Sequence, residues 1–449
     1  MMLTTLILAA AAPAATAVPT PKGDLLAIRV RRAETIANGT YEHAVILVED
    51  GKIVTIGEDL PIERGIPILD LPDTWVVMPG LVNAYTRLGM TSQGYNDSKP
   101  GVLASTELWP GTSYEAALEN GVTTLGQYPA GNGIPGQAVA VQPIGATKAE
   151  MTLADNVYLK IILRATGSSK KMIKDGFKEA DKFLEKERKN REKWEKAQEK
   201  KKKKKKKSSS KKDKDKDDEK KDDEEKGDEE KGDDDEKKDD EKKKGDDEKK
   251  AEDDDEYVPL VPDAEAQAFL DLRAKTLRAL VSISSAAQYE HLLDAIGDEE
   301  FDWDLRVGLT RNSDIFHVKD KIGASGRRVV VEPTLTLHPG TMRQRNLPAE
   351  FARAGAKIVL IPRSDSSTAY GSWLRNVGEI VAAGLDRDVA LRALTQEPAD
   401  LLGLGERFGS LEAGKDANLI FLNGDPFEPG TKVEAVMIGG KFEYGEVNL

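Results

Sequence analysis

The chain of 449 residues has a formal net charge of −13, no cysteine and only four histidines. The lack of cysteine excludes disulfides, thiolate metal sites and cysteine nucleophiles, and the negative charge gives no overall attraction for nucleic acid. The length suffices for one barrel of about 250 residues and a smaller unit, and a hydrophobic content of 39% is ordinary for a globular core.

The N-terminal residues are typical of an export signal. Residues 3–12 are apolar, and Ala15-Thr16-Ala17 has the small-x-small pattern of a signal-peptidase site. We therefore predict a signal peptide over residues 1–17 and a periplasmic or extracellular protein. The alternative is a disordered or membrane-leaning N-terminus, because no Lys or Arg precedes the apolar stretch. No later segment reaches the ~18 apolar residues of a transmembrane helix, so none is expected.

The segment 24–80 consists of short predicted β-strands. Apolar runs occupy 25–30, 43–48 and 52–57, and Asp50-Gly51 between the last two predicts a tight hairpin. Residues 409–449 return to short strands with glycine turns. We predict that the two segments together form one small composite β-sandwich domain.

Between these segments, predicted strands and helices alternate. This alternation is typical of βαβ units around a parallel sheet. We therefore predict an α/β fold, a (β/α)8 TIM barrel built from residues 81–170 and 257–408. The predicted helices are 114–120, 263–279, 286–296, 373–383 and 388–393, and the predicted strands are 122–125, 155–164, 280–284, 328–333 and 357–362.

Residues 171–256 form a charged insert. The stretch 171–200 predicts a long charged helix, and 201–256 is almost entirely Lys, Asp, Glu, Ser and Gly. Such a composition buries too little apolar surface to offset its ordering entropy, which favours a disordered segment or a partly helical solvated rod. The insert is either a solvated spacer or a segment that contacts a charged partner.

Three stretches carry a resemblance to a known family. They are VVMPGLVNAYTRLGM at 76–90, ALENGVTTLGQYPAGNGIPGQ at 117–137 and ALRALTQEPADLLGLGERFGSLEAGKDANLIFLNGDPF at 390–427. Together they resemble the amidohydrolase superfamily, with a likeness that covers residues 24–170 and 260–445. The charged helix near 177–197 further resembles secreted, imidazolonepropionase-like bacterial members.

The resemblance implies a hydrolase that acts on carbon–nitrogen bonds other than peptide bonds. Such enzymes activate water on one or two divalent metals, such as zinc, at the C-terminal mouth of the barrel. The family takes its ligands from His-x-His on strand one, Lys or Glu on strand four, His on strands five and six, and Asp on strand eight.

This sequence departs from that ligand set. Tyr85 and Arg87 occupy both histidine positions of strand one, and neither 280–285 nor 305–311 contains a histidine. A guanidinium is a permanent cation that has no lone pair to donate to a metal. We therefore predict that the protein binds no metal and needs no other cofactor.

Two family positions are kept. Lys160 matches the strand-four lysine, which some members carboxylate, although an ordinary lysine is the alternative. Asp365 matches the strand-eight aspartate and is the candidate catalytic residue, with Arg363 and Arg87 as expected partners; a structural ion pair is the alternative. We predict that Tyr85, Arg87, Lys160 and Arg363 form a ligand-binding mouth.

The four histidines are predicted to lie away from such a site. His291 falls on a helix and His43 opens a strand of the small β-domain. His317 and His338 are expected in loops or at strand ends, with His338 either facing the mouth or lying on the surface.

Two functions follow from these observations. The first is an amidohydrolase-family hydrolase whose metal-dependent activity is impaired because the histidines are replaced. The alternative is a non-catalytic exported barrel that binds a small anionic ligand or a protein partner, since arginines at the mouth favour anions.

Overall fold

The structure is a computed structural model that describes residues 25–90, 94, 98–212 and 256–445, with side chains to residue 203 in the long helix. The predicted signal peptide and most of the low-complexity stretch, from residue 213 onward, lie outside the described residues.

The N-terminal part consists of strands β1 Leu25–Glu34, β2 Thr40–Glu49, β3 Lys52–Glu58, β4 Ile68–Asp70 and β5 Val76–Pro79. β2 and β3 pair antiparallel, as the Asp50-Gly51 turn predicts. Both turn residues have positive φ, 48° and 80°, which is the backbone conformation of a two-residue hairpin with the twist of its strands.

The first half of the α/β part begins directly after β5. Its elements are β6 Leu81–Thr86, α1 Ala104–Glu107, α2 Glu115–Leu118, β7 Val122–Gln127, β8 Gly136–Gln137, β9 Val139–Val141, α3 Lys148–Met151, β10 Thr152–Ala154, β11 Leu159–Ile162 and α4 Gly167–Lys212.

The second half continues the alternation of strands and helices. Its elements are α5 Ala264–Arg273, β12 Ala279–Ile283, α6 Ala286–Ile296, β13 Trp303–Val307, a 3₁₀ helix Ile315–Val318, α7 Lys319–Ala324, β14 Arg328–Val331, β15 Thr336–Leu337, β16 Gln344–Arg345, α8 Leu347–Arg353, β17 Lys357–Leu360, α9 Ser367–Gly371, α10 Trp373–Ala382, α11 Arg387–Leu394 and α12 Gln396–Leu401.

These strands form a four-stranded sheet, in the order β10-β9-β7-β6, and a six-stranded sheet, in the order β17-β14-β13-β12-β11-β8. The strands from β11 to β17 within the second sheet are parallel. No backbone pairing joins β17 to β6 among the residues described, so the sheets do not close on each other. A mixed α/β fold is confirmed, whereas a closed barrel stays a prediction.

The last strands return to the sheet of the N-terminal part. β18 Leu419–Leu422, β19 Val433–Ile438 and β20 Lys441–Tyr444 extend it in the order β20-β19-β18-β5-β1-β2-β3, with β4 beside β1. One face buries a cluster that includes Ile28, Ile46, Phe421 and Met437. Strands from both ends of the described chain thus share one hydrogen-bonded sheet.

The long helix α4 packs against the α/β part through its first turns only. Ile173, Phe177 and Ala180 are buried, whereas most later side chains are exposed. Its 46 residues correspond to a length of about 69 Å. In the described part of the chain, no helix is both long and apolar enough to cross a membrane.

The chain returns alongside α4 before α5 begins. The hydroxyl of Tyr257 donates to Glu187 Oε1 at 2.8 Å, and the backbone N–H of Leu260 donates to Glu187 Oε2 at 2.9 Å. Tyr257 also stacks edge-on against Trp194, with ring centroids 5.5 Å apart. The start of the returning segment is therefore fixed to the middle of the helix.

The contact between α4 and α5 depends on a glycine. A Cβ at Gly176 would lie 2.0 Å from Cζ of Phe269, whose buried ring packs edge-on against Phe177. We expect Gly176→Val to lower the free energy of unfolding by about 2 kcal/mol, because an overpacked core must shift its side chains. Urea denaturation measures this loss.

The control is Gly167→Ala, because a Cβ at Gly167 would meet no atom within 4 Å. This variant should change the stability by less than about 0.5 kcal/mol. Similar losses for the two variants would contradict the close approach of α4 and α5.

Candidate functional site

Polar and aromatic side chains from several strands meet near the carboxyl ends of the parallel strands. In α/β folds of this kind, these ends are where ligand-binding side chains collect. We name this set the mouth cluster; it consists of Tyr85 on β6, Tyr128 just after β7, Lys160 on β11, Ser282 on β12 and Arg306 on β13.

Two tyrosine rings hold the Lys160 side chain. Lys160 Nζ lies 3.3 Å from the ring centroid of Tyr128 and 5.1 Å from that of Tyr85, and the two centroids are 4.1 Å apart. The guanidinium of Arg306 lies 5.2 Å from the centroid of the Tyr85 ring. Tyr85 thus contacts both basic side chains and, through its hydroxyl at 3.5 Å, Ser282 Oγ.

Lys160 is 5% exposed, and its amine has no hydrogen bond or ion pair to any residue that the structure describes. Burial lowers the pKa of Lys160 to about 6, and the positive charges of Arg87 and Arg306 contribute to the same shift. Most of the Lys160 amine is therefore neutral at pH 7. A neutral amine has a lone pair and can act as a base or a nucleophile.

The neighbouring phenols stay protonated. Burial raises the pKa of Tyr128, with a smaller contribution from Tyr85. Burial likewise raises the pKa of Tyr158, whose hydroxyl donates to the Ala84 carbonyl at 3.1 Å. The mouth cluster therefore offers the protonated phenol of Tyr128 beside a basic amine.

Asp365 lies beyond β17 and contacts the end of β6. Its Oδ1 accepts a hydrogen bond from the Thr86 hydroxyl, and its Oδ2 accepts one from the backbone N–H of Arg87 at 3.0 Å. The sequence-based pairing with Arg363 is wrong, because Arg363 Nη2 donates to the Pro333 carbonyl at 2.9 Å. The long Arg363 side chain reaches the loop after β14 instead of turning back to Asp365.

One ion pair at the mouth was not predicted from the sequence. Arg306 Nη2 contacts Glu332 Oε1, which follows β14. Glu332 Oε2 and Arg306 Nε are buried with no hydrogen-bond partner among the described residues. Buried polar atoms of this kind are costly and are usually satisfied by a ligand or water. The strand WDLRV is buried apart from Arg306, and the two charged residues in it, Asp304 and Arg306, are the signal that could have identified this position.

The histidines take no part in this cluster. His43 lies in β2, and His291 lies on α6, as predicted. The ring of His317, in the 3₁₀ helix, stacks on the ring of Phe316 with centroids 4.0 Å apart. The centroid of the His338 ring lies 5.5 Å from that of Phe316.

The residues at the mouth do not fit a divalent metal. No group of three or more His, Asp or Glu side chains in the described ranges is arranged to hold one. The side chains at the family's ligand positions offer a phenol, a guanidinium, an amine that lies on an aromatic ring and one carboxylate, that of Asp365, which accepts hydrogen bonds from Thr86 and Arg87. A catalytic metal needs three or more protein ligands with lone pairs. No step through a metal follows from this site.

Two cavities lie elsewhere, and each has charges of both signs. One of about 550 Å³ is lined by His43, Arg29 and Asp70, the last two paired at 3.2 Å. The other, of about 390 Å³, is lined by Lys415 and Glu412, paired at 3.1 Å. Each cavity is lined by an ion pair, whereas the Lys160 amine has no ion pair with any described residue. The mouth cluster is therefore the stronger candidate site.

The fold of this chain is shared with solved amidohydrolase structures. An amidohydrolase from Thermotoga maritima MSB8 superposes with a TM-score of 0.69 at 18% identity, over 94% of this chain and all of that one. A β-aspartyl dipeptidase from Fervidobacterium islandicum AW-1, solved with β-Asp-Leu dipeptide, gives a TM-score of 0.51 at 11% identity, over 96% and 98% of the two chains. The protein is thus a mixed α/β protein with the amidohydrolase fold.

Residues 336–442 match the sequence model of the amidohydrolase family. A stretch of 63 residues is also 36% identical to the amidohydrolase tasK of Hapsidospora irregularis; it covers 14% of this chain and 6% of that protein. The family match over residues 336–442 and the shared fold both support the predicted resemblance to the amidohydrolase superfamily. The imidazolonepropionase-like subgroup stays a prediction.

Proposed function

We propose that the mouth cluster binds a small anionic ligand and that metal-dependent hydrolysis of carbon–nitrogen bonds is impaired in this protein. One observation carries the proposal. Lys160 is buried beside the positive charges of Arg87 and Arg306, with no carboxylate paired to its amine in the described part of the chain. A ligand carboxylate or phosphate beside Lys160 would supply the missing negative charge.

Anion binding and protonation of Lys160 should be linked. The free protein keeps the amine largely neutral at pH 7.5, because the pKa of Lys160 is about 6. A bound anion favours the ammonium form, since an opposite charge within a few ångströms raises the pKa of a lysine. Binding should therefore take up a proton from solution.

Isothermal titration with a panel of carboxylates and phosphates tests this expectation at pH 7.5. The difference between the binding enthalpies in two buffers of different ionisation enthalpy should correspond to an uptake of about 1 proton per bound ligand. Lys160→Met should abolish the proton uptake and weaken binding about tenfold, the size expected for one lost charge-assisted hydrogen bond.

Lys99→Met is the matched control, because Lys99 is exposed and pairs with Glu265 away from the cluster. It should leave both the affinity and the proton uptake unchanged. No binding heat with any ligand of the panel would overturn the proposed function, and so would binding that Lys160→Met leaves unaltered.

Metal content gives an independent test of the impaired hydrolysis. Protein purified without added metal should hold well under one equivalent of zinc, iron, nickel or manganese, because too few ligands with lone pairs are present. Treatment with a chelator should leave anion binding unchanged. A full equivalent of tightly bound metal would contradict the proposal.

A second candidate function is metal-free hydrolysis of a carbon–nitrogen bond. The observation that favours it is the fixed carboxylate of Asp365, held by Thr86 and by the backbone of Arg87 at the carboxyl end of β6. A broad screen of amides and lactams tests it, with Asp365→Asn as the variant that removes the base. Turnover that Asp365→Asn abolishes would favour this candidate over binding alone.

The proposal includes the finer features of the fold. Side chains from the four- and six-stranded sheets share one buried cluster, with Val82, Ala84, Leu280, Val330 and Val359 among its members. We propose that these sheets are the two arcs of a (β/α)8 barrel and that the eight-stranded sheet is its small sandwich domain. Export, and contact of the charged insert with a charged partner, are also part of the proposal.

A further inference from the structure

We propose that Lys160 is a nucleophilic amine that forms a Schiff base with a small aldehyde, ketone or keto acid bearing an anionic group. This inference rests on the proposed anion-binding function and adds the chemical class of the ligand. It depends on the position of Lys160, whose amine lies on the ring face of Tyr128 with the Tyr85 ring nearby, in a cluster that does not fit a metal.

The surroundings of Lys160 differ from those of a structural lysine. Lys415 is also largely buried, but its ammonium donates to the Gly405 carbonyl at 2.7 Å and to Ser410 Oγ at 2.6 Å, and it pairs with Glu412. Lys160 has none of these partners within the described residues and contacts ring faces instead. Within the described residues, the Lys160 amine therefore makes no hydrogen bond that stabilises the fold, and its lone pair can react.

The charges at the mouth select the carbonyl compound. Arg87 and Arg306 act on Lys160 electrostatically, so a ligand with a carboxylate or phosphate would be drawn to the same place. Arg306 Nε is also buried without a hydrogen-bond partner in the described part of the chain. An anionic group that accepts from Arg306 would bring a neighbouring carbonyl carbon toward Lys160.

The reaction needs no oxidant or reductant. The Lys160 nitrogen attacks the carbonyl carbon, and the carbonyl oxygen becomes a hydroxyl after it takes a proton. The nitrogen then loses its remaining protons as the carbon–nitrogen double bond forms, and the oxygen leaves as water. The ring face of Tyr128 contacts the amine, and the Tyr128 phenol, whose pKa burial raises, can give the oxygen this proton. Amine and carbonyl thus give imine and water.

Borohydride trapping tests the inference on the full-length protein. The protein is incubated at pH 7 with glyoxylate or pyruvate, reduced with borohydride and mapped by mass spectrometry. Lys160 should be labelled at least about tenfold faster than any other lysine, because an ordinary lysine has roughly a thousandfold less neutral amine at this pH. Neutral propanal should label it more slowly than glyoxylate, and added propionate should protect it.

Lys160→Met should remove that label and leave slow labelling elsewhere unchanged; the protein should still fold, because the change removes a buried amine. Labelling spread evenly over the lysines would overturn the inference. If propionate binds but neither carbonyl acid labels Lys160, the Schiff-base inference fails and the proposed anion site stands. If propionate, glyoxylate, pyruvate and every other carboxylate and phosphate of the titration panel fail to bind, the proposed function fails as well.

Discussion

Glu34→Ala should lower the free energy of unfolding by about 3 kcal/mol, because it removes the buried centre of an ion-pair network. Glu34 is 2% exposed, and its Oε1 accepts from Arg32 at 2.5 Å and from Arg387 at 2.7 Å. Asp425 pairs with both arginines, and Thr40 donates to Glu34 Oε2 at 2.7 Å. Without Glu34, two positive charges would share one carboxylate where β1 meets α11.

Two further variants test whether the loss of stability in Glu34→Ala comes from the buried ion-pair network. Glu34→Gln keeps the shape and an acceptor oxygen, so it should lose about half as much stability. Asp70→Ala breaks the exposed pair with Arg29 in the same sheet and should cost no more than about 0.5 kcal/mol. Thermal unfolding followed by circular dichroism measures all three, and equal losses for Glu34→Ala and Asp70→Ala would refute a buried network.

Lys160→Met should change the stability in the opposite direction to Glu34→Ala. It should raise the free energy of unfolding by roughly 3 kcal/mol at pH 7. The unfolded chain takes up a proton at Lys160 below pH 10.5, whereas the folded chain does so only below about 6. Between these values the unfolded state binds more protons, so the stability of the native protein rises with pH. Methionine has about the same length and carries no charge to bury.

The pH profile separates this explanation from simple repacking. The stability gain of Lys160→Met should be largest near pH 6 and should shrink as the pH rises, because above pH 10.5 Lys160 is mostly neutral in both states. Lys415→Met is the control and should destabilise the protein, since it removes the hydrogen bonds to Gly405 and Ser410. Urea titrations from pH 6 to pH 9 give the profile; a gain independent of pH would argue against a neutral Lys160.

Local sequence signals located most of the regular elements. The Asp50-Gly51 hairpin and the helix over 286–296 lie where they are predicted, because a turn dipeptide and the Ser285 cap act within a few residues. The predicted helix 263–279 ends at Arg273 instead, since Lys275 adopts a left-handed backbone with φ 58°. Closure of the barrel depends on pairing between strands far apart in sequence, which no local pattern predicts.

Only some residues of the candidate site could be predicted from the sequence. Lys160 and Asp365 were found because they match family positions, and Tyr85 because it replaces a family histidine. Tyr128 and Arg306 match no ligand position of the family. They join the cluster only because β7 pairs with β6 and because β12 links β13 to β11 in one sheet. The Arg363 side chain donates to the Pro333 carbonyl, 30 residues earlier in the chain, and its spacing to Asp365 in the sequence could not predict this partner.

The central place of β5 in its sheet has a consequence for the synthesis of the protein. β5 pairs with β1 on one side and with β18, more than 300 residues later, on the other. While the ribosome makes the intervening residues, one edge of β5 lacks its partner, and unpaired edges invite aggregation. Pairing of β18 with β5 thus requires that translation has passed Leu422, and chains that terminate before this point should be ready substrates for chaperones and proteases.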